Sequence, residues 1–260
     1  MGMGVDEWEC KLFREVLTEP SRWRGTRRSL FFKHHCPGGL DPSFLVTRDW
    51  IKWTFTLLSS HHQNPLLLHH LSHLAAFHGY LDVLKWLKRH WDPVLREMRR
   101  SPFPAMYASY GEHLEVLQWL RSQGCPWDEK ACCGAAYKGS LEMLVWLRGE
   151  GCPWNEETCK GAAAGGHLEV LQWARSQGCP WDKETCHEAA KAGNLKMLKW
   201  VRNQDPPCPW DAQTSWAAAK GGHLDVLQWA TSQGCPWNKK TCISAATQGH
   251  LETTLGSKWR

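Results

Sequence analysis

Twelve cysteines are the residues of this chain whose type and spacing could do chemistry. Eight of them form four pairs with a spacing of seven residues, Cys125 and Cys132, Cys152 and Cys159, Cys179 and Cys186, and Cys235 and Cys242. Zinc sites usually combine closer pairs such as C-x₂-C, and the chain has none. Ser215 also stands where a cysteine would follow Cys208. The pattern therefore favours buried thiols that pack as small apolar groups, with a metal or redox role as the alternative.

The histidines show no regular spacing of metal ligands. His113, His167, His223 and His250 fall at the turn between two predicted helices, where a polar side chain that bonds the turn backbone explains them. The chain also lacks a nucleophile elbow, a phosphate-binding glycine-rich loop and an HExxH motif. We therefore predict no enzyme, no catalytic residue, no cofactor, no metal site and no small-molecule substrate.

The cysteines belong to a repeat that must position them. A tryptophan of a GCPW or PCPW element recurs at Trp127, Trp154, Trp181, Trp210 and Trp237, with a spacing of 27 residues except for one of 29. A second tryptophan recurs at Trp119, Trp146, Trp173, Trp200 and Trp229. Similarity at a fixed period in this range is typical of a solenoid, in which each unit packs only against its neighbours. Its function should lie on a surface and not in a pocket.

Each repeat contains two predicted helices. Leu168, Val170, Leu171 and Trp173 fill one face of a longer outer helix, and small residues such as Ala189 and Ala190 mark a shorter inner helix. The predicted N-caps of the inner helices are the residues after each CPW, namely Asp128, Asn155, Asp182, Asp211 and Asn238. Their predicted ends are Gly139, Gly166, Gly193, Gly222 and Gly249. Two tryptophans, Trp173 and Trp181, should be buried between units.

The stretch GHLEVLQWARSQGCPWD, from Gly166 to Asp182, resembles the second half of the ankyrin repeat, and Ala189 and Ala190 match its Ala-Ala segment. An ankyrin unit has about 33 residues, so this shorter repeat would lack the family's β-hairpin finger. The resemblance implies an all-α, ankyrin-like helix-turn-helix solenoid. It covers residues 66–260, with six to seven units of which the last is incomplete.

The two ends of the chain depart from the repeat. Residues 1–65 show none, and we expect a helical segment there that caps the array or docks a second protein. The last unit reads TTLGSKWR where VLQW is expected. It would leave an apolar face uncovered, which predicts self-association through the C-terminal end.

Composition narrows the class of partner. The net charge of +5 comes from 31 Lys and Arg against 26 Asp and Glu, a balance that argues against a nucleic-acid partner. No segment has the features of a secretory signal or of a membrane helix. We therefore expect a cytoplasmic protein, with the nucleus as an alternative, and no membrane partner.

The inner helices differ from one another at a few positions while the framework repeats. In ankyrin repeats the corresponding face lines a concave groove that holds partner proteins, so the resemblance implies a non-enzymatic scaffold for protein-protein interaction. The alternatives are an adaptor that docks other machinery through residues 1–65, and a metal- or redox-responsive repeat protein. The candidate partner-binding residues make the groove aromatic and basic, which suits an acidic protein partner: Tyr137, Lys138, Lys160, His187, Lys191, Trp216 and Lys220.

Overall fold

The computed structural model describes residues 72–90, 96 and 98–247. Contacts divide the chain into two compact units, Met1–Leu74 and Ala75–Arg260, and the second unit contains the repeats. The predicted non-repeat segment 1–65 lies outside the described residues, and so does the chain end from which self-association was predicted. Within the described ranges, no helix is both long enough and apolar enough to cross a membrane.

The described part of the chain is α-helical and contains no β-strand. Inner helices have even numbers and outer helices odd numbers. The bounds are α1 Leu81–His90, α2 Phe103–Tyr110, α3 Leu114–Ser122, α4 Glu129–Lys138, α5 Leu141–Gly149, α6 Glu156–Gly165, α7 Leu168–Ser176, α8 Lys183–Lys191, α9 Leu195–Arg202, α10 Ala212–Gly221, α11 Leu224–Ser232 and α12 Lys239–Thr247. The predicted all-α fold of helix-turn-helix repeats is confirmed, and no finger strand occurs in these repeats.

The five inner helices that follow a CPW element begin at the predicted N-caps, whereas α2 follows Pro102 without a side-chain cap. The Asp182 carboxylate accepts a hydrogen bond from the backbone N–H of Glu184 at 3.0 Å. The side chains of Asp128, Asn155, Asp211 and Asn238 do the same in their repeats. Each contact satisfies one of the backbone donors that the first turn of a helix leaves without a partner. The residue after CPW therefore fixes where these five inner helices start.

The turn between the two helices of a repeat depends on glycine. Gly139, Gly166, Gly193 and Gly222 have φ values from 71° to 81°, the left-handed region that glycine adopts without strain. The ring of a turn histidine from the next repeat covers three glycines of this kind, as His167 covers Gly139. His223 Nε2 lies 3.0 Å from the carbonyl oxygen of Lys191, so the histidine bonds the turn of the preceding repeat and not its own.

Consecutive inner helices pack directly on one another through small side chains. A Cβ added to Gly161 would lie 2.8 Å from the carbonyl oxygen of Cys133, so helices α4 and α6 approach more closely than a larger residue allows. The alanines of the inner helices, such as Ala135 and Ala162, are completely buried. Consecutive outer helices touch at few points. The stack is therefore tight along its inner helices and open along its outer helices.

The thiols join neighbouring repeats. In four of the five CPW cysteines the Sγ atom donates to the carbonyl oxygen of the N-cap residue one repeat earlier, as Cys179 does to Asn155 at 3.4 Å and Cys208 to Asp182 at 3.2 Å. The second cysteine of a repeat contacts the CPW cysteine of the next repeat. Cys159, for example, forms a thiol–thiol hydrogen bond with Cys179. That bond and burial raise the pKa of the Cys159 thiol well above its usual range. The cysteines that contact each other therefore belong to neighbouring repeats, and are not the two cysteines seven residues apart within one repeat.

An arginine and two tryptophans fill four of the five gaps between consecutive outer helices. The Arg175 guanidinium lies 3.9 Å from the ring centroid of Trp181, which meets Trp200 edge to face at 6.1 Å. We call the four such groups the tryptophan ridge. They are Arg121 with Trp127 and Trp146, Arg148 with Trp154 and Trp173, Arg175 with Trp181 and Trp200, and Arg202 with Trp210 and Trp229.

The prediction that Trp173 and Trp181 are buried between units is correct about their position and wrong about the extent of their burial. Both rings lie between units, yet each remains partly exposed to solvent. The reason is that the outer helices are too far apart to close over rings placed between them. Tryptophan here acts as a spacer between outer helices more than as a core residue.

Candidate functional site

The face of the inner helices that points away from the outer helices forms the candidate site, which we call the inner surface. Positions i, i+3 and i+7 of each inner helix share one face. The three rows across the array are Phe103, Lys130, Glu157, Glu184, Gln213 and Lys240; Met106, Cys133, Lys160, His187, Trp216 and Ile243; and Tyr110, Tyr137, Ala164, Lys191, Lys220 and Thr247. Neighbouring repeats share a residue type at three points, Glu157 with Glu184, Tyr110 with Tyr137 and Lys191 with Lys220, and differ at all other points of the rows. The buried positions beneath stay small.

The N-terminal part of the inner surface is aromatic. The rings of Tyr110 and Tyr137 have centroids 5.8 Å apart, and 44% of Tyr137 is exposed. The Tyr110 hydroxyl lies 3.6 Å from the Sγ atom of Cys133. Burial and the neighbouring Cys133 raise the pKa of the Tyr110 phenol far above its usual range, so the hydroxyl stays protonated. Lys130 Nζ lies 5.5 Å from the ring centroid of Phe103, within the range of a cation–π contact.

Ion pairs occupy the middle of the inner surface. Lys160 Nζ lies 3.0 Å from Glu157, and Lys191 Nζ lies 2.9 Å from Glu188. Burial lowers the pKa of the Lys160 ammonium and the hydrogen bond to Glu157 raises it, with a net increase, so this lysine stays charged. Because each cation has a carboxylate one turn earlier on its own helix, this part carries both signs of charge. The prediction of a basic groove therefore does not describe its middle.

An indole dominates the C-terminal part of the inner surface. The Trp216 ring lies between His187, at a centroid distance of 6.2 Å, and Lys220, whose Nζ atom is 4.8 Å from the ring centroid. The Nδ1 atom of His187 is buried and has no hydrogen-bond partner. Ile243 of the next inner helix is 52% exposed. This end therefore presents apolar surface beside two lysines, Lys220 and Lys240.

All seven candidate residues lie on inner helices. Tyr137 and Lys138 are in α4, Lys160 is in α6, His187 and Lys191 are in α8, and Trp216 and Lys220 are in α10. Six belong to the three rows, and the exposed Lys138 lies beside them at the end of its helix. The structure brings Trp216 together with His187 and Lys220, and it separates this group from Tyr137 by three helix steps. Their role in binding stays a prediction.

Sequence reasoning missed the aromatic residues at the N-terminal end. Phe103 and Tyr110 lie in a unit that lacks the GCPW element before it, which hid its register. The signal was present, because Tyr110 precedes Tyr137 by the repeat length of 27 residues. Among the described residues, no group of three or more His, Cys, Asp or Glu side chains is placed to hold a metal ion.

No known protein family and no curated protein matches the sequence. Among solved structures, the chain is similar to a crystal structure of the pentatricopeptide repeat protein PPR10 in complex with an 18-nucleotide psaJ RNA element, with a TM-score of 0.33 and 13% identity. A variant of PPR10 with three Cys-to-Ser changes, with the same RNA element, gives the same values. In both cases 91% of this chain and 39% of the PPR10 chain are covered.

The class that the fold defines is thus a helical-repeat solenoid, and membership of the ankyrin family is not established. The expectation against a nucleic-acid partner is corrected, since its basis does not hold, and both of these similar structures are RNA complexes. Its ground was the balance of charge over the whole chain. A net charge does not describe one surface, and lysines such as Lys130 and Lys220 lie against aromatic rings on the inner surface.

Proposed function

We propose that this chain is a non-enzymatic binding scaffold and that its inner surface recognises an extended segment of a partner protein. The observation that supports the proposal most directly is the contrast between the two sides of each inner helix. The buried side is nearly the same in every repeat, whereas the inner surface differs at every step. A surface of this kind presents a different group to each part of an elongated partner.

Two apolar patches separated by ion pairs suggest the form of that segment. Tyr137 and Trp216 are three inner-helix steps apart, which is about 24–30 Å at the usual spacing of 8–10 Å between packed helices. An extended chain of about eight residues spans this distance. We therefore expect an apolar side chain at each end of the segment and residues of both charges between them, to match Lys160 with Glu157 and Lys191 with Glu188.

Nucleic acid is a second candidate partner, favoured by one feature of the same surface. Lys130 lies over Phe103 and Lys220 over Trp216, and single-stranded nucleic acid is bound by cations interleaved with aromatic rings on which bases stack. The carboxylates of Glu157 and Glu188 oppose it, because each stands beside a lysine that a phosphate would need. We rank a protein segment first for this reason.

Two further possibilities from the sequence remain proposals. The adaptor function depends on residues 1–65, outside the described part of the chain. A redox or metal role would need accessible thiolates, and nine of the ten described cysteines are buried. Ten free thiols fit a cytoplasmic or nuclear location, where thiols are kept reduced.

The test compares three forms of the chain as bait in its native cell extract, with chemical cross-linking and with one half of each sample treated with nuclease. They are the wild type, the double variant Tyr137→Ala and Trp216→Ala, and the control Gln172→Ala, in which an exposed residue of the outer helix α7 is changed. The protein hypothesis predicts partners that resist nuclease, that the control retains and that the double variant loses. Capture that nuclease abolishes would transfer the function to nucleic acid. Equal capture by all three forms would refute a role for the inner surface.

A further inference from the structure

The tryptophan ridge on the outer side of the array has a chemistry that spacing helices does not require. In each of its four groups one arginine stacks on one tryptophan, with the guanidinium carbon 3.9–4.2 Å from the ring centroid. The second tryptophan meets the first edge to face, at centroid distances of 5.8–6.1 Å. Leucine or methionine would separate two helices equally well, without an exposed polar group.

The rings of the tryptophan ridge are held in place. Arg175 Nη1 donates to the carbonyl oxygen of Cys179 at 2.6 Å, and Arg148 and Arg202 donate to Cys152 and Cys208 in the same way. A hydrogen bond therefore holds the guanidinium to the loop, and stacking holds its planar face against the indole. A ligand that meets the ring loses little side-chain freedom on binding, because the ring is already ordered.

The indole N–H groups of the tryptophan ridge are free to bind something else. Within residues 98–247, none of the eight indole nitrogens has a hydrogen-bond partner in the protein, and none is buried from solvent. Indole and guanidinium carry donors and no oxygen or nitrogen acceptor. Each group of the tryptophan ridge therefore presents donors only, beside apolar ring surface.

The complementary chain is one that presents acceptors only. Proline is the only residue with a backbone carbonyl and no backbone N–H. In a polyproline II helix these carbonyls have no internal partner, and the pyrrolidine rings form apolar ridges that dock on aromatic grooves. We propose that the tryptophan ridge binds a proline-rich segment in the polyproline II conformation, with indole N–H groups as donors to its carbonyl oxygens.

The repeat lengths of the two partners agree. Consecutive groups of the tryptophan ridge are one repeat apart, and packed helices are spaced by about 8–10 Å. A polyproline II helix repeats every three residues with a rise of 3.1 Å per residue, which is about 9.3 Å. Every third residue of the segment therefore meets an equivalent group, and about ten residues reach all four.

The same geometry is unfavourable for single-stranded nucleic acid. Bases stack on free ring faces, and each CPW indole of the tryptophan ridge has one face covered by a guanidinium. Three of the four guanidinium groups also donate to a carbonyl oxygen. The carbonyl oxygens of a proline-rich segment need the indole N–H groups, which have no partner in the protein within residues 98–247.

The test uses the full chain and oligoproline peptides of about four, seven and ten residues, with a glycine-serine peptide of equal length as the control ligand. Binding is followed by titration calorimetry and by the indole N–H signals in NMR spectra. We expect affinity to rise with each added triplet and the indole signals of the tryptophan ridge to shift, while the signal of Trp216 on the inner surface does not. An oligoproline of about ten residues that shifts no indole signal of the tryptophan ridge would overturn the proposal.

A variant separates the tryptophan ridge from the rest of the protein. Replacing Trp146, Trp173, Trp200 and Trp229 by Phe keeps an aromatic ring in every gap and removes four donors. We expect its affinity for the oligoproline of about ten residues to fall by about tenfold or more. The control Trp216→Phe should bind as the wild type does, and it also distinguishes this proposal from the function proposed for the inner surface. Unchanged affinity in the fourfold variant, or binding of a single-stranded oligonucleotide that this variant loses instead, would refute the assignment.

Discussion

The Ser215 hydroxyl shares its one proton between two acceptors, the Sγ atom of Cys235 at 3.2 Å and the carbonyl oxygen of Pro236 at 2.8 Å. Cys186 is the equivalent of Ser215 in the preceding repeat, and its thiol forms a hydrogen bond with the next CPW cysteine, Cys208. The serine therefore replaces one thiol of an inter-repeat pair and keeps its donor. The same contact made with two different atoms shows that the repeat needs a small donor here and not sulfur chemistry.

This relationship predicts an asymmetric response to substitution at Ser215. Ser215→Cys should change the free energy of unfolding by less than about 1 kcal/mol, because the thiol occupies the same small site. Ser215→Ala removes the donor beside two buried groups and should cost about 1–2 kcal/mol. Urea unfolding followed by circular dichroism measures both. Equal losses from the two variants would mean that size and not the hydrogen bond matters.

Close approach of the inner helices predicts opposite effects at two glycines. Gly161→Ala places a methyl group against the carbonyl oxygen of Cys133 and should cost about 1–3 kcal/mol through displacement of helix α6. Gly149→Ala is the matched control, because a Cβ there meets nothing within 4 Å and the residue is helical. It should raise stability by up to about 1 kcal/mol. A stable Gly161→Ala variant would contradict the packing.

The repeat that follows the tryptophan ridge lacks the arginine of its groups, and this predicts a gain in stability from restoring it. Thr231 occupies the position of Arg175 in the preceding repeats, and Trp237 after it is 43% exposed. Thr231→Arg should place a guanidinium over Trp237 and raise the free energy of unfolding by about 0.5–1 kcal/mol. Thr231→Lys is the control, since it adds the charge without a planar group that stacks. If lysine stabilises as much as arginine, general electrostatics and not stacking would be responsible.

Because the tryptophans between outer helices are partly exposed, each should contribute less to the free energy of unfolding than a buried ring does. Trp173→Ala and Trp181→Ala should each cost about 2 kcal/mol, less than the 3–5 kcal/mol typical of a fully buried ring. Trp216→Ala should cost under about 1 kcal/mol, since Trp216 lies on the inner surface, and should weaken partner binding instead. Chemical unfolding of the three variants gives the comparison. A loss at Trp216 as large as at Trp173 would place that ring in the core.

Burial of the thiols predicts a loss of stability in alkaline solution. Burial raises the pKa of Cys125 to about 11, above its ordinary value of 9.0. Between these two values the unfolded chain loses a proton that the folded chain keeps, so stability falls as pH rises from about 9 to about 11. The contribution is fully present below pH 9. Urea midpoints at several pH values measure it, and Cys125→Ala should flatten the decline.

Alkylation gives an independent check on the thiols. Iodoacetamide reacts with the thiolate, so at pH 8 Cys125 should be modified far more slowly in the native chain than in urea. Mass spectrometry of peptides identifies the modified cysteine. Rapid native modification of Cys125 would revive the redox alternative.

The elements of each repeat could be predicted because their signals are local. Asp182 and Gly193 mark a helix start and a left-handed turn through contacts within a few residues, and sequence patterns contain such contacts directly. The thiol partners could not be predicted in this way. Cys159 meets Cys179 and not Cys152, because stacking brings the end of one repeat against the middle of the previous one.

The candidate site was predictable in location and less so in character. Variation between repeats placed Tyr137 and Trp216 on one surface. The charge of that surface was misjudged, because Glu157 and Glu188 were not weighed against the lysines that they pair with. The arginines of the tryptophan ridge were missed, although Arg175 follows Trp173 by two residues and precedes Trp181 by six, and the same spacing occurs at Arg148.

The acceptor for four of the CPW thiols is a main-chain carbonyl, such as that of Asn155 for Cys179. Any residue supplies a carbonyl, so this joint between units does not depend on which side chain the neighbouring unit has at that point. A gene segment that encodes one unit can then be duplicated, deleted or exchanged in frame, and the new neighbours still connect at this joint. The chain can change its length by recombination and leave each unit's exposed side chains to diverge afterwards.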